Sequence, residues 1–351
     1  MIFNLARGRN VLGALLLACA WNLVPAAYAA SCATQSQMTP AERETFSRTA
    51  ETILSDVQTG NVDNIRGISV PAVAADFKGM SDSVAHLRPL VQTATITVDN
   101  LYILDATGNP LGETRTDFYC GSPVVVWSFP IPSPGMYAVA IVHATGVQHP
   151  QQVTIILSKT PDNRWLVAGM VDRAMTAAGH DGLWYWVSAR KYAQTKMDWD
   201  AWFYYRLATT LLDPLDSLAS PNLTKLHQEA DQIHPQDLPG TVPMTFYADG
   251  ELITVSTVDT TTALGGLDLD VHYKPDTTQA AQLQDPAGAR KQVTAVMSGL
   301  LRMHPELQRA FHGIWVHADQ GTGSLFALEL PMDQIATGTP QVSVFPNQNS
   351  H

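Results

Sequence analysis

The spacing of apolar residues changes once early in the chain, and this change constrains the fold more than any other sequence feature. Before residue 93, apolar side chains recur at helical spacing, most clearly between Thr39 and Gly60. From Thr93 onward apolar and polar residues alternate, which is typical of strands joined by short turns. Helices followed by antiparallel hairpins predict the α+β class, with helices packed on a curved antiparallel sheet.

The first helix has clear start and stop signals. Thr39 offers a capping hydroxyl, Pro40 suits the first helical position, and Glu42 completes a capping box. Gly60 predicts the end of the helix. Its predicted buried face consists of Phe46, Ala50, Ile53, Leu54 and Val57. A weaker helical stretch covers about residues 72–90, with an interruption near Gly79.

Five strand-like runs follow, at 116–120, 124–129, 136–144, 153–158 and 165–171. The order of helices, long hairpins and a final ribbon, with the sequence VTIILS at 153–158 and RWLV at 164–167, resembles the nuclear-transport-factor-like (cystatin-like cone) superfamily. The resemblance covers roughly residues 40–175 and predicts a cone-like α+β domain over 38–178. It implies a cone-shaped pocket, which some members use for catalysis and many exported members use for binding or dimerisation. Tyr137, His143 and Asp172 are the candidate acid or base groups of such a pocket.

Residues 180–234 form a helical segment rich in aromatic side chains. The spacing of Tyr185, Ala189 and Tyr192, followed by that of Ala201, Tyr205 and Ala208, resembles one tetratricopeptide unit. The resemblance implies two antiparallel helices that approach each other at Ala189 and Ala201. A helix cannot turn all its aromatic residues toward one buried face, so the cluster predicts either the junction with another domain or a ligand or partner groove. The candidate groove residues are Trp184, Trp186, Trp199, Trp202 and Tyr204.

The C-terminal part predicts a second, small α+β domain over 241–335, followed by a flexible tail over 336–351. Strands are expected at 244–247, 251–258, 267–273, 313–318 and 324–330. Between them lies a helix that Asp285 caps and Pro286 opens.

The first 29 residues predict a signal peptide. Arg7 and Arg9 precede a short apolar run, and Ala27 and Ala29 suit a peptidase site. An uncleaved anchor and lipidation at Cys19 are the alternatives. Export to the periplasm or outside the cell favours a disulfide between Cys32 and Cys120, with two free thiols as the alternative. No membrane span is expected once the signal peptide is removed.

Composition and motif searches narrow the function classes. A net charge of -11 disfavours nucleic acid as a partner. The sequence contains no nucleophile elbow, no His-Glu-x-x-His and no phosphate-binding loop. The histidine pairs His143/His149 and His312/His317 lack the spacing of metal ligands, so neither a metal site nor a cofactor is expected.

Three polar residues share one face of a predicted strand. Asp268, Asp270 and His272 alternate there with Leu267, Leu269 and Val271. Two carboxylates and an imidazole could hold a cation or transfer protons. A solvated sheet face shows the same alternation, so the sequence predicts that these three residues face solvent.

The sequence therefore predicts an exported binding or protein-interaction protein, whose partner is an unidentified protein or small molecule. The alternative is a hydrolase or isomerase that uses the pocket of the N-terminal domain. A polar trio converging in that pocket would distinguish the enzyme from the binding protein.

Overall fold

A computed structural model describes residues 30–109, 115–121, 124–129 and 134–335. The predicted signal peptide, with the alternatives attached to it, and the predicted tail at 336–351 lie outside these residues. Within the described part, no helix is both long enough and apolar enough to cross a membrane.

Four helices lie between residues 40 and 91, the part of this half for which the sequence predicts helices. They are α1 (Pro40–Thr59), α2 (Val62–Gly67), α3 (Pro71–Ala75) and α4 (Lys78–Val91). The capping box is present, because the Thr39 amide donates to Glu42 Oε2 at 2.8 Å and the Glu42 amide donates to Thr39 Oγ1 at 3.3 Å. Gly60 ends α1 with a φ of 73°, the left-handed conformation that glycine adopts most easily. The weaker predicted stretch divides into α3 and α4.

The strands of this half follow the predicted hairpins closely. They are β1 (Ser31–Thr34), β2 (Thr95–Asp105), β3 (Thr116–Cys120), β4 (Val125–Phe129), β5 (Met136–Thr145), β6 (Gln151–Lys159) and β7 (Trp165–Ala174). The main sheet has the order β1-β2-β5-β6-β7 and is antiparallel throughout. One of its faces shares a core with α1 and α4, and the other packs on the ribbon of β3 and β4. The α+β class is therefore confirmed.

The predicted disulfide between Cys32 and Cys120 is present. It joins β1, which begins at Ser31, to β3, which ends at Cys120. Pairing of β1 with β2 in four register positions fixes the same segment from its other side. The start of the described chain is thus held by both backbone hydrogen bonds and a covalent link.

The middle segment contains the predicted helical hairpin. Its elements are β8 (Thr176–Ala177), β9 (His180–Asp181), α5 (Gly182–Gln194), α6 (Asp198–Leu212), β10 (Leu218–Ala219) and α7 (Pro221–Asp231). Ala189 and Ala201, one on each long helix, are completely buried. At the other end of the hairpin, a Cβ on Gly182 would come within 2.6 Å of Leu212 Cγ. Small residues therefore allow the two helices to approach closely.

The C-terminal segment forms a second five-stranded sheet. Its elements are β11 (Met244–Ala248), β12 (Glu251–Thr261), β13 (Asp268–Tyr273), α8 (Thr277–Gln282), α9 (Pro286–Met303), α10 (Leu307–Ala310), β14 (Gly313–Gln320), β15 (Gly323–Pro331) and a 3-10 turn (Met332–Gln334). The strand order is β11-β12-β13-β14-β15, and only the β13-β14 pair in this sheet is parallel. The helices α8 to α10 supply the crossover that a parallel pair needs.

One face of this sheet is apolar and the other is polar. Helix α9 covers the apolar face so closely that a Cβ on Gly299 would lie 2.3 Å from the ring of Phe246. The same continuous core includes Tyr185, Trp199 and Phe203 of the hairpin. Residues 180–234 thus bury their aromatic side chains together with the C-terminal sheet, and the polar face of that sheet remains available for a site.

Candidate functional site

The five aromatic residues predicted to form a groove do not line a common surface. Trp186 donates to Glu229 Oε2 at 2.8 Å, Trp199 donates to Asp237 Oδ1 at 2.9 Å, and the Tyr204 hydroxyl donates to the Ala310 carbonyl at 2.6 Å. Each of these three side chains is buried, and its polar atom has a partner. The groove prediction is wrong for them, because they fill the core that the hairpin shares with the C-terminal sheet.

The other two aromatic residues are at least partly accessible, in different places. Trp184 is 40% exposed and stacks on His180 with ring centroids 3.7 Å apart. Trp202 lines a different surface, a large groove that also includes residues of the C-terminal sheet. Trp202 is thus the one member of the predicted set that lines this groove.

The acid and base candidates of the N-terminal domain do not converge either. Tyr137 and His143 lie on one face of β5, but six residues apart, which is roughly 20 Å along a strand. His143 contacts Gln152 Oε1 at 3.1 Å. Asp172 pairs with Val153, which pairs with Val142, so it belongs to the opposite face of the sheet. The three candidate residues therefore do not converge into one polar trio.

The groove that contains Trp202 has a volume of about 990 Å³. Three parts of the chain form its walls: α6, the connecting segment 236–243, and strands β11 to β13. Its size lies at the upper end of the range for small-molecule sites. The lining combines apolar side chains of the connecting segment with charged groups from α6 and the sheet.

The helical wall of the groove presents a stacked cation and ring. The Arg206 guanidinium lies 4.7 Å from the centre of the Trp202 ring, and its Nη2 lies 3.5 Å from Asp259 Oδ2 on β12. Asp237, on the connecting segment, lies 3.1 Å from His304 Nε2 and accepts a hydrogen bond from Trp199 Nε1 at 2.9 Å, and these two contacts lower its pKa to about 2. With Asp270, the groove has three carboxylates and one guanidinium. It favours neutral or cationic ligands with hydrogen-bond donors.

The floor of the groove is the polar face of the sheet. Asp268, Asp270 and His272 do share one face of β13, but the prediction that this face is solvated is wrong. Asp268 is completely buried and accepts from His312 Nδ1 at 2.9 Å, while Asp270 and His272 are half-buried. Strand β13 is the central strand of this sheet, and the side chains of His312 and Glu329 lie beside Asp268.

Strand β14 brings a second histidine beside His272. The parallel register places His317 directly opposite His272, and their rings stack with centroids 4.5 Å apart. Both imidazoles approach one carboxylate oxygen. Asp270 Oδ1 lies 3.4 Å from His272 Nε2 and 3.2 Å from His317 Nε2.

Neighbouring groups orient both rings. Asp319 Oδ2 lies 2.8 Å from His272 Nδ1, and Ser324 Oγ lies 3.5 Å from His317 Nδ1 while donating to Asp319 Oδ1 at 2.7 Å. Burial lowers the pKa of His317 and so favours its neutral form. With the Nδ1 proton of His272 held by Asp319, the Nε2 lone pair of this ring is left for another partner.

A second group of this kind lies further along the same face. Asp268, His312 and Glu329 bring one ligand atom each within 4.8 Å of the others. A Cβ on Gly313 would come within 2.6 Å of Glu329 Oε1 and 2.9 Å of Asp268 Oδ1, so glycine makes room for the two carboxylates. Burial and the charge of Asp268 raise the pKa of Glu329, and the Asp268 hydrogen bond raises that of His312. The direction for His312 favours its protonated form beside the Asp268 carboxylate, 2.9 Å away.

Sequence spacing alone did not reveal either group. His312 and His317 belong to different groups, and His143 and His149 belong to neither. The missing information was the pairing of β13 with β14, since His272 and His317 are 45 positions apart in the chain. The sequence did contain one indication of the site. Two strands on either side of a crossover helix both carry polar residues at alternate positions.

Compared with known proteins, this chain matches no family model, no curated protein and no solved structure. Its function must therefore be argued from the geometry of the groove.

Proposed function

We propose that this protein is an exported binding protein whose ligand is a small molecule held in the groove between α6 and the C-terminal sheet. The main support for this proposal is the groove, which has a volume of about 990 Å³. Trp202 and Arg206 lie on one wall, and the opposite wall contains Asp259, Asp270 and His272. Aromatic surface combined with a few converging polar groups is the usual composition of small-molecule sites.

The lining indicates the chemistry of the ligand. The Trp202 ring offers a flat apolar surface, and the carboxylates of Asp237, Asp259 and Asp270 accept hydrogen bonds from hydroxyl or amino groups. Arg206 already contacts Asp259, so it neutralises only part of this negative charge. We expect a neutral or cationic compound that carries hydroxyl or amino groups on an apolar frame.

Export is supported by the Cys32–Cys120 disulfide, because such bonds persist in oxidising compartments. We further propose that the protein is periplasmic or secreted. We also propose that its N-terminal domain resembles the nuclear-transport-factor-like superfamily. The candidate groups of the enzyme alternative do not converge in that domain, because Tyr137 and His143 lie on one face of the sheet and Asp172 lies on the other.

A thermal-shift screen tests the binding proposal. Hydroxylated and amino compounds are screened for those that raise the melting temperature of the protein, and a ligand at 100 times its Kd adds about 2.7 kcal/mol of stability. We expect the shift to disappear in Trp202→Ala and to weaken in Asp259→Asn. The matched control is Trp184→Ala, which removes an exposed tryptophan that stacks on His180 outside the groove.

Two results would contradict the proposal. One is a complete screen in which no compound stabilises the protein in a Trp202-dependent way. The other is a co-purifying protein whose binding depends on Trp202, which would make the groove a protein-interaction site.

A further inference from the structure

Three possible ligand atoms lie within 4.8 Å of one another at the floor of the groove. They are Asp270 Oδ1, His272 Nε2 and His317 Nε2. We infer that these residues bind one divalent transition-metal ion, with Zn²⁺ as the reference ion. The inference rests on the proposed function only in that it assigns a cofactor to the same groove.

Two of the three distances between the ligand atoms fit a shared ion. Asp270 Oδ1 is 3.2 Å from His317 Nε2 and 3.4 Å from His272 Nε2. Two ligand atoms that each lie about 2.0–2.2 Å from zinc, at an angle of about 90–110°, are separated by about 3.0–3.4 Å. The carboxylate oxygen is thus at the distance that a common ion would impose on both imidazoles.

Two of the ligand atoms are buried polar atoms without a hydrogen-bond partner among the described residues. Asp270 Oδ1 and His317 Nε2 are both buried, and neither has a hydrogen-bond partner among the described residues. They are 3.2 Å apart, so distance alone does not prevent such a bond. Even so, the two atoms form no hydrogen bond with each other. An ion at that position would satisfy two buried polar atoms that otherwise remain unpaired.

The outer contacts have the form expected around metal-binding histidines. Such histidines usually donate their second ring N–H to a carboxylate or another acceptor, which fixes the tautomer and raises the basicity of the ligand nitrogen. Asp319 Oδ2 lies 2.8 Å from His272 Nδ1, and Ser324 Oγ lies 3.5 Å from His317 Nδ1. Ser324 also donates to Asp319, so one hydrogen-bonded chain supports both rings.

The ligand set indicates which class of ion would bind and how many coordination positions the protein leaves free. Imidazole nitrogens with one carboxylate suit zinc, copper, iron and nickel better than calcium or magnesium, which prefer oxygen ligands. Three protein ligands leave at least one coordination position free. Because Asp270 and His272 also line the groove, an ion that they bind would lie at its floor.

Metal titration tests the inference without any organic ligand. Tag-free full-length protein, stripped with a chelator, is titrated with Zn²⁺ by calorimetry and with Co²⁺ by visible absorption. We expect one ion per chain, and at least a 100-fold weaker affinity in His317→Gln and Asp270→Asn. Asp319→Asn, which removes only an outer contact, should lower the affinity by about 10- to 100-fold.

His312→Gln is the matched control. It removes a histidine on the same side of the sheet, from the neighbouring group with Asp268 and Glu329. We expect it to leave the Zn²⁺ affinity within threefold of the wild type. Loss of binding in His312→Gln with retention in His317→Gln would overturn the inference, as would the absence of binding by the wild-type protein.

A measurement on the unaltered protein covers the case in which the variants fail to fold. Diethyl pyrocarbonate modifies accessible histidine nitrogens, and mass spectrometry locates the modified residues. Zn²⁺ should protect the partly exposed His272 at least tenfold and leave His312 unchanged. Equal modification of His272 with and without Zn²⁺ would contradict the site. A failed small-molecule screen with successful metal binding would reject only the proposed function.

Discussion

At the scale of single residues, Asp200 is the most unusual carboxylate outside the groove. It is completely buried in the first turn of α6, and neither oxygen has a hydrogen-bond partner within the described part of the chain. Burial and the nearby charge of Glu306 raise its pKa to about 7, against a smaller opposing effect of His304. The folded protein therefore holds a proton there that the unfolded chain releases around the ordinary aspartate pKa of 3.8.

This difference predicts a pH-dependent loss of stability. Between about pH 4 and 7 the folded state binds more protons than the unfolded state, so the contribution of Asp200 to stability falls as pH rises, by up to about 1.4 kcal/mol per pH unit. Asp200→Asn should abolish this dependence and be more stable than the wild type at pH 8. Urea unfolding at pH 5 and pH 8 measures it.

The control for this prediction is Asp198→Asn, which changes an exposed carboxylate in the same helical turn. Its stability relative to the wild type should vary little with pH. If the difference between Asp200→Asn and the wild type is the same at both pH values, the buried carboxyl group does not hold a proton.

At the scale of secondary-structure elements, the helical hairpin gives the clearest test. Ala201 is completely buried on α6, which packs along α5. Ala201→Trp places a large ring in this contact and should destabilise the protein by roughly 1–3 kcal/mol or more. A thermal melt should show a clearly lower melting temperature.

Thr210→Trp is the corresponding control on the same helix. Thr210 is exposed, so the same ring should have room there, and exposed substitutions usually change stability by less than about 0.5 kcal/mol. An unchanged melting temperature for Ala201→Trp would contradict the close packing of the two helices.

The elements could be predicted from the sequence far better than the site. Helix α1 with its capping box, the hairpins from β5 to β7, and α9 opened by Pro286 all occur where the apolar spacing placed them. Periodicity reports which face of an element is buried, and it reports nothing about which strands become neighbours. The parallel pairing of β13 and β14 was therefore not predicted, although it alone brings His317 to His272. For the same reason Asp268 was taken for a solvated residue.

At the scale of the whole molecule, the described chain has separate hydrophobic cores. Two of them lie on the two faces of the N-terminal sheet, and the third joins the helical hairpin to the C-terminal sheet. The halves meet where β10 pairs with β4 and where Thr154 donates to the Pro214 carbonyl at 3.1 Å. Separate cores with a limited junction favour unfolding in more than one step.

The disulfide should therefore stabilise the N-terminal half selectively. It closes a loop of 88 residues, for which the chain-entropy model gives about 4–5 kcal/mol as an upper bound. In Cys32→Ser/Cys120→Ser, hydrogen exchange measured by mass spectrometry in mild urea should show faster exchange in β2 and β5 and unchanged exchange in α9 and β13. Val293→Ala, which opens a cavity in the core beneath α9, should give the reverse pattern. If hydrogen exchange becomes equally faster in both halves of the double cysteine variant, the cores unfold as one cooperative unit. Loss of the Cys32–Cys120 link would then destabilise every part of the chain equally.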